Sequence, residues 1–464
     1  MVTAASSAAQ RFADAFPGDA VTPGDERFET VRRVWNGAID RRPAVIARCT
    51  TVDHVVAAVG LARETGLRIA VRGGGHSVPG LCTCDAGVMV DLSPMRQVDV
   101  DPGQRLAHVE PGATWHDFDA ATHAHGLAST GGLISSTGVA GLTLGGGIGW
   151  LQRKHGLACD NLVAAQVVTA EGEVVLASSE QAPELLWGLR GGGGNFGIVT
   201  SFAFRLHQVR EVYGGMVMFP IGDGARVLRR YRTWAAEQPD DLTTLAGIMT
   251  APPAPFVPQS LQGQKVVAVI GCHCGDQADA ERRLAAIREL NPALDLFGPM
   301  PYPALQSMAD AGAPPALRNH FKAGYTAELT DGLLDVVLEH GARLPSPMSQ
   351  IHLHQMGGAV SRVGEDDTAF SNRRAAYAFN LIATWTDPAD DDTHIAGNRA
   401  LAAALEPYSS GGVYVNFLGD EGAARVRDAY GDAKYARLVR LKRAYDPENV
   451  FSLNQNIAPA TDAV

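Results

Sequence analysis

The sequence is poor in cysteine, in basic surplus and in long apolar runs, and each shortage excludes something. Six cysteines (Cys49, Cys82, Cys84, Cys159, Cys272 and Cys274) among 464 residues are too sparse for a small disulfide scaffold, so reduced thiols and a cytoplasmic location are expected. No stretch approaches the roughly 18 consecutive apolar residues of a spanning helix, and Met1 to Pro23 lacks the charged and apolar regions of a signal peptide. Lys and Arg number 39 against 50 Asp and Glu, and the formal charge of −11 argues against nucleic acid as a partner. With 46% hydrophobic and 19% charged residues the chain reads as globular. At about 150 residues per domain it has room for two to four domains.

Glycine is what the sequence has in quantity, 51 residues concentrated between Gly73 and Gly197. Around them the pattern is mixed. Val52, Val55, Val56, Val59 and Ala62 fall at helical spacing, and Leu67 to Val71 form a strand that runs into Gly73-Gly74-Gly75. Further strands are expected at Val88 to Leu92, Arg105 to Val109, Leu162 to Ala170 with a hairpin partner at Glu173 to Ala177, and Gly197 to Leu206. From about Val212 the glycines thin out. Strands (Gly215 to Phe219, Lys265 to Gly271, Ser349 to Met356, Ala375 to Trp385) then alternate with amphipathic helices (Ala225 to Gln238, Ala278 to Leu290), as in a second domain. The last stretch, with a strand at Tyr414 to Phe417, a helix at Ala433 to Tyr445 and a strand at Phe451 to Ile457, is expected to fold back onto the first.

Three glycines after a buried strand let successive N–H groups converge on one point, as an anion nest does. Arg72-Gly73-Gly74-Gly75-His76-Ser77 has this form, and the run Gly138, Gly141, Thr143, Gly145, Gly146, Gly147, Gly149 repeats it with a hydroxyl inside. Two nests suit a diphosphate. Neither is a Walker A loop, and Gly192 to Gly197, the one formal GxGxxG, follows a helix and precedes a strand, the reverse of a Rossmann fingerprint.

RGGGHS at 72–77, GGLISSTGVAGLTLGGGIGWLQRKHGLACDNL at 131–162, ELLWGLRGGGGNFGIVTSF at 184–202 and YDPENVFSLNQNI at 445–457 occur in the order and at the spacing of one family. The chain resembles the berberine bridge enzyme-like branch of the vanillyl-alcohol oxidase and p-cresol methylhydroxylase flavoproteins over almost its whole length. The resemblance implies an α+β, two-domain fold of the p-cresol methylhydroxylase type. An FAD-binding domain at 1–210, completed by 409–464, would carry the cofactor, and an antiparallel-sheet substrate domain at 211–408 would cover the flavin. It also implies FAD joined covalently to His76, with Arg72, Gly73, Gly74, Gly75, Ser77, Gly138, Gly141, Thr143, Gly145, Gly147, Gly149, Asn161, Val199, Asn416, Asn454 and Asn456 in the cofactor site. Where many relatives attach the flavin a second time through a cysteine this chain has Ile134, so a single linkage is expected, and Cys159 is read as a lining residue.

Flavin oxidation needs a base for the proton of the reacting O–H or N–H. The tyrosine that relatives carry at the end of the YxN(Y/F) motif is Phe417 here, and the family's glutamate falls near Ala378 or Asn380. Strict alternation from Ile351 to Met356 puts His352 and His354 on one face, and an imidazole titrates near neutrality, so His354, then His352, then Tyr414 are the expected bases. Asn380 is the one amide on an apolar strand face. His352-x-His354 and Cys272-His273-Cys274 also admit a metal reading, but no paired x₂ cysteines accompany them and no metal is expected. The resemblance implies an oxidase acting on an alcohol or amine of a small organic molecule (a secondary metabolite, alkaloid or sugar), with O₂ as acceptor because Gly132 leaves space beside the flavin. The alternatives are a dehydrogenase with another acceptor, a metal-dependent hydrolase and a flavin-binding protein without catalysis. A monomer or homodimer with no membrane partner is expected.

Overall fold

A computed structural model of the chain describes residues 2–460. Before residue 210 the strands form three small sheets. The first runs Asp19–Val21, Val45–Arg48, Val88–Asp91, Ile69–Arg72 in space, the last three parallel. Parallel neighbours need a crossover, which the helix Val52–Thr65 supplies. Thr51 caps its start by accepting from the His54 N–H, and Gly66 ends it at φ +68°. Its buried stripe of Val55, Ala58, Val59 and Ala62 packs on Val45, Ala47, Ile69 and Val88. The second sheet is antiparallel, in the order Val98–Asp101, Leu106–Val109, Ile198–Arg205, Leu162–Val168, Val174–Ser178. A two-stranded ladder, Leu127–Ala128 with His207–Gln208, stands at the exit from this half.

Residues 211–385 contribute one large antiparallel sheet: Leu294–Asp295, Glu211–Pro220, Lys265–His273, Leu242–Thr250, Gln350–Gln355, Tyr377–Trp385, Arg318–Thr326, with Gly298–Pro301 also paired to Glu211–Pro220. The helices Gly224–Ala236, Gln277–Arg288, Asp331–Ala342 and Asp391–Leu405 contribute to the core that covers one face, where Ile248, Val267, Ile351, Leu353 and Leu381 are fully or almost fully buried. Period-two alternation then turns His352, His354 and Asn380 to the other face. Part of that face closes against the first half: Tyr325, Met356 and Ala378 pack with Ile148, Leu157, Cys159 and Tyr414.

The C-terminal segment does return to the first half, but two of its expected strands do not form. Val415–Phe417 is a 3-10 turn, because the Tyr414 hydroxyl is drawn to the Gly147 and Ile148 N–H groups. Residues 451–457 form no ladder. Side chains tie them instead: Ile457 N–H donates to Asn195 Oδ1, and Lys442 Nζ donates to Phe451 O and Asn195 O. The intervening helix is Asp432–Tyr445, as the pattern predicts.

Candidate functional site

The two glycine runs meet backbone to backbone. A Cβ on Gly74 would stand 2.4 Å from Gly138 Cα, and one on Gly138 would stand 2.5 Å from Gly74 N. Gly75, at φ +73°, turns the chain away from the strand. Gly141, in the helix Val139–Leu144, would place a Cβ in open space. Near these glycines and in the returning C-terminal segment, Thr143 Oγ1, Asn454 Oδ1 and Asn456 Oδ1 are buried without a partner among the described residues. Orphaned polar atoms and a side-chain-free cradle fit a large polar cofactor bearing phosphates. The other glycines of the second run serve packing: a Cβ would fall 2.1 Å from Asn416 Oδ1 at Gly145, 2.3 Å from Ala158 Cβ at Gly147, and 1.8 Å from Gly131 O at Gly149.

Several expected cofactor contacts have other occupations. Arg72 pairs with Asp91, its neighbour in the parallel register, Nε to Oδ1 at 2.9 Å, and also donates to Val31 O and Arg33 O. Burial alone would raise the Asp91 carboxyl, but the Arg72 guanidinium prevails and holds it below its ordinary value. Four of its five N–H donors are thus spent within the fold. Asn161 spends both Nδ2 hydrogens on His155 O and Leu157 O and accepts from His207 Nε2 at 2.7 Å. Ser77 Oγ accepts from Leu81 N–H, and the Val199 side chain is core. Asn416 donates to Leu142 O and to the Tyr414 hydroxyl.

His76 follows the cradle. Its ring stacks on Trp35 with centroids 4.8 Å apart and planes 17° apart, and Nε2 meets Ser136 Oγ at 3.2 Å. Burial lowers the imidazole to about 4, so it is neutral near pH 7. The turn carrying Ser136, closed by Thr137 N–H to Ile134 O, is the one in which Ile134 stands. Cys159 is fully buried, with Sγ toward Asp160.

On the sheet face, His352 pairs across with Asn380 on one side and Gly247 on the other, and His354 pairs with Ala378 and Leu245. A Cβ on Gly247 would lie 3.2 Å from His352 Cδ2, so the glycine makes room for that imidazole. The two rings are 5.5 Å apart. His352 Nε2 is held by Gln350 Oε1 at 2.8 Å, whereas His354, 3% exposed, has an unpartnered Nε2. Asn380 Oδ1 and the hydroxyl of Tyr325, which faces Ala378 from the next strand, are likewise buried and unpartnered. Burial lowers His352 to about 4; burial and the neighbouring His352 lower His354 further. Both rings are therefore neutral proton acceptors at pH 7. Tyr414 is not poised this way: its hydroxyl accepts from Gly147 N–H, Ile148 N–H and Asn416 Nδ2, and burial pushes it up to about 12.

Trp35, Gly247, Gln350 and Tyr325 escaped the sequence reading. Only the period-two pattern of 350–356 hinted at one of them, since Gln350 continues the His352 face. Of the metal reading, His273 bonds Asp279 Oδ2 at 3.2 Å and Cys274 Sγ bonds Asp241 O, and among the described residues no cluster of three ligating side chains occurs. The six cysteines are free thiols, and among the described residues no helix is long and apolar enough to cross a membrane.

Two family models match, an FAD binding domain over residues 43–178 and a berberine and berberine-like segment over 413–458. The chain is 30% identical to (R)-6-hydroxynicotine oxidase of Paenarthrobacter nicotinovorans, covering 95% of this chain and 97% of that one. It is 29% identical to an FAD-linked oxidoreductase of Dictyostelium discoideum, covering 98% of each. Among solved structures, 6-hydroxy-D-nicotine oxidase of Arthrobacter nicotinovorans superposes with a TM-score of 0.87 at 28% identity, over 96% of this chain and 98% of that one. The likeness carries the α+β fold of the p-cresol methylhydroxylase type that the motifs imply.

Proposed function

Since the chain is an FAD-linked oxidoreductase of the berberine bridge enzyme-like family, we propose that it is an oxidase of a small alcohol or amine, with its FAD attached once, through His76. When bound, FAD takes a hydride from the C–H that bears the O–H or N–H and passes the two electrons to O₂, giving H₂O₂. Of the two units, 1–210 with 409–464 would hold the cofactor and 211–408 the substrate. The six free thiols favour the cytoplasm.

What carries the reading is the row of polar groups on the sheet face turned toward the cofactor half. His352 and His354 are neutral imidazoles, each able to take the substrate's O–H or N–H proton while the hydride leaves, and the unpartnered Asn380 Oδ1 accepts a hydrogen bond that orients the substrate. At the cofactor, Gly73 to Gly75 and Gly138 line the diphosphate. His76, neutral and held by Ser136, offers a ring nitrogen lone pair for the flavin bond. Nothing in the turn around Ile134 offers a thiol.

Acid precipitation tests the linkage. One flavinylated tryptic peptide containing His76 is expected, and a flavin on a Cys159 peptide refutes it; His76→Ala should bind FAD that can be dissociated. Anaerobic bleaching against alcohols, amines and aldoses, 6-hydroxynicotine among them, identifies the substrate class. The acceptor is tested by stopped-flow reoxidation of dithionite-reduced enzyme in air-saturated buffer. Reoxidation no faster than that of free reduced flavin would make the enzyme a dehydrogenase. A Cβ on Gly132 would meet Leu142 Cδ1 at 2.9 Å and Trp115 Cδ1 at 3.6 Å, so a side chain there must displace Leu142. Gly132→Val is expected to slow reoxidation alone.

A further inference from the structure

We propose that a cavity at the exit from the first half is a binding site for a small molecule carrying two oxyanionic groups, held by Arg105 and Arg210. The cavity, open to solvent, has a volume of about 520 Å³ and is lined by Pro102, Gly103, Arg105, His125, Gln208 and Arg210, with Gly126 among them. No residue of the His76 cradle or of the histidine face lines it. Neither guanidinium makes a hydrogen bond or an ion pair within the described residues, and both side chains are exposed to the cavity mouth. Burial and then the charges of Arg205 and Arg105 hold the neighbouring His207 imidazole at about 4, so the positive field reaches inside the fold.

The backbone around the cavity positions both arginines. Gly126, at φ +69°, would place a Cβ 2.4 Å from Arg210 Nε and 3.2 Å from its Cζ, so the guanidinium rests over the bare glycine. Arg105 itself sits at φ +54°, a region that residues with a Cβ rarely adopt, and its carbonyl is fixed by Leu206 N–H at 2.8 Å. The nearby acidic groups form no ion pair with either arginine among the described residues: Asp101 Oδ1 accepts from the Gln104 N–H at 2.9 Å, and Glu211 is the first residue of the large sheet.

Two guanidinium forks with an imidazole beside them match paired phosphate or carboxylate groups, and the volume exceeds what a single phosphate fills. The placement gives such a ligand something to act on. Gln208 to Glu211 is the chain's passage from the first half into the large sheet, and Leu127–Ala128 runs on to Gly131 and Gly132. A ligand bridging Arg105 and Arg210 therefore fixes the end of the first half, where the chain leaves it for the large sheet.

The test is isothermal titration of the FAD-loaded protein with pyrophosphate, citrate and orthophosphate at low salt. Pyrophosphate or citrate is expected to bind with Kd below about 1 mM and more tightly than orthophosphate. Binding of pyrophosphate alone assigns phosphate chemistry, and comparable binding of citrate assigns polyanions generally. Arg105→Gln and Arg210→Gln should each weaken it at least about tenfold with flavin content and spectrum unchanged, and Gly126→Ala, which displaces Arg210, should weaken it too. Absence of binding by both polyanions, or equal binding to the Arg105→Gln/Arg210→Gln double variant, overturns the proposal.

Discussion

Removing the Arg373 side chain should cost about 3–5 kcal/mol, the range for breaking a buried ion pair from one side. The side chains of Arg373 and Asp160 are 1% and 7% exposed. Two guanidinium nitrogens reach the carboxylate, at 2.6 and 3.1 Å, and the same group donates to Thr368 Oγ1 and Val360 O. In Arg373→Ala the Asp160 carboxylate keeps only the Leu157 N–H, at 2.9 Å, as a strong partner. An isolated buried anion is what makes the loss large, since solvent cannot reach in to replace the cation.

The effect should also reach the cofactor. Asp160 caps the start of the turn whose Cys159 and Ala158 N–H groups bind Gly146 O and Gly147 O, so the second glycine run loosens with it. Urea unfolding of the loaded protein, followed by tryptophan fluorescence, measures the loss, and released flavin reports the second effect. The control is the pair removed together: Arg373→Met with Asp160→Asn keeps an acceptor for Leu157 N–H and leaves no charge behind, and should recover most of the stability. A loss under about 1 kcal/mol in Arg373→Ala, or a double variant no more stable than the single one, would refute the reasoning.

With a bleaching substrate in hand, removing the base among His352→Ala and His354→Ala should slow flavin reduction by roughly 10²–10⁴-fold; unchanged rates in both variants would reduce the histidines to walls. Tyr414→Phe deprives Gly147 and Ile148 N–H of their acceptor and should cost about 1–3 kcal/mol with flavin loss, leaving the pH profile of reduction unmoved. Asp119, 2% exposed with both oxygens unpartnered beside the Gln306 amide, is raised well above its ordinary value by burial. The folded state therefore holds a proton that the unfolded state has released above about pH 4, and stability drains as pH rises toward the folded value; Asp119→Asn should stabilise more at pH 8 than at pH 4, as thermal melts at the two values would report.

What could be read ahead from the sequence was whatever is local. A strand entering three glycines specifies a cradle, because only glycine permits that approach, and alternation along 351–356 put both histidines on one face. What could not be read was which distant strand lies alongside. The ion pair of Arg72 is one such case: its partner, Asp91, belongs to another strand, and only the parallel register sets the two side by side. Tyr414 looked like a strand residue and a base because two of the groups its hydroxyl satisfies, the N–H groups of Gly147 and Ile148, are distant in sequence.

The same limit governs the site itself. His352 gains its amide neighbour, its glycine niche and its tautomer from Asn380, Gly247 and Gln350, and only Gln350 is close in sequence. Trp35, stacked on His76, comes from an N-terminal segment with no motif of its own. Motifs pointed to FAD because phosphate binding is done by backbone within single loops. On the proposed reading, substrate chemistry falls to side chains brought together across a sheet, and its specificity is written in register.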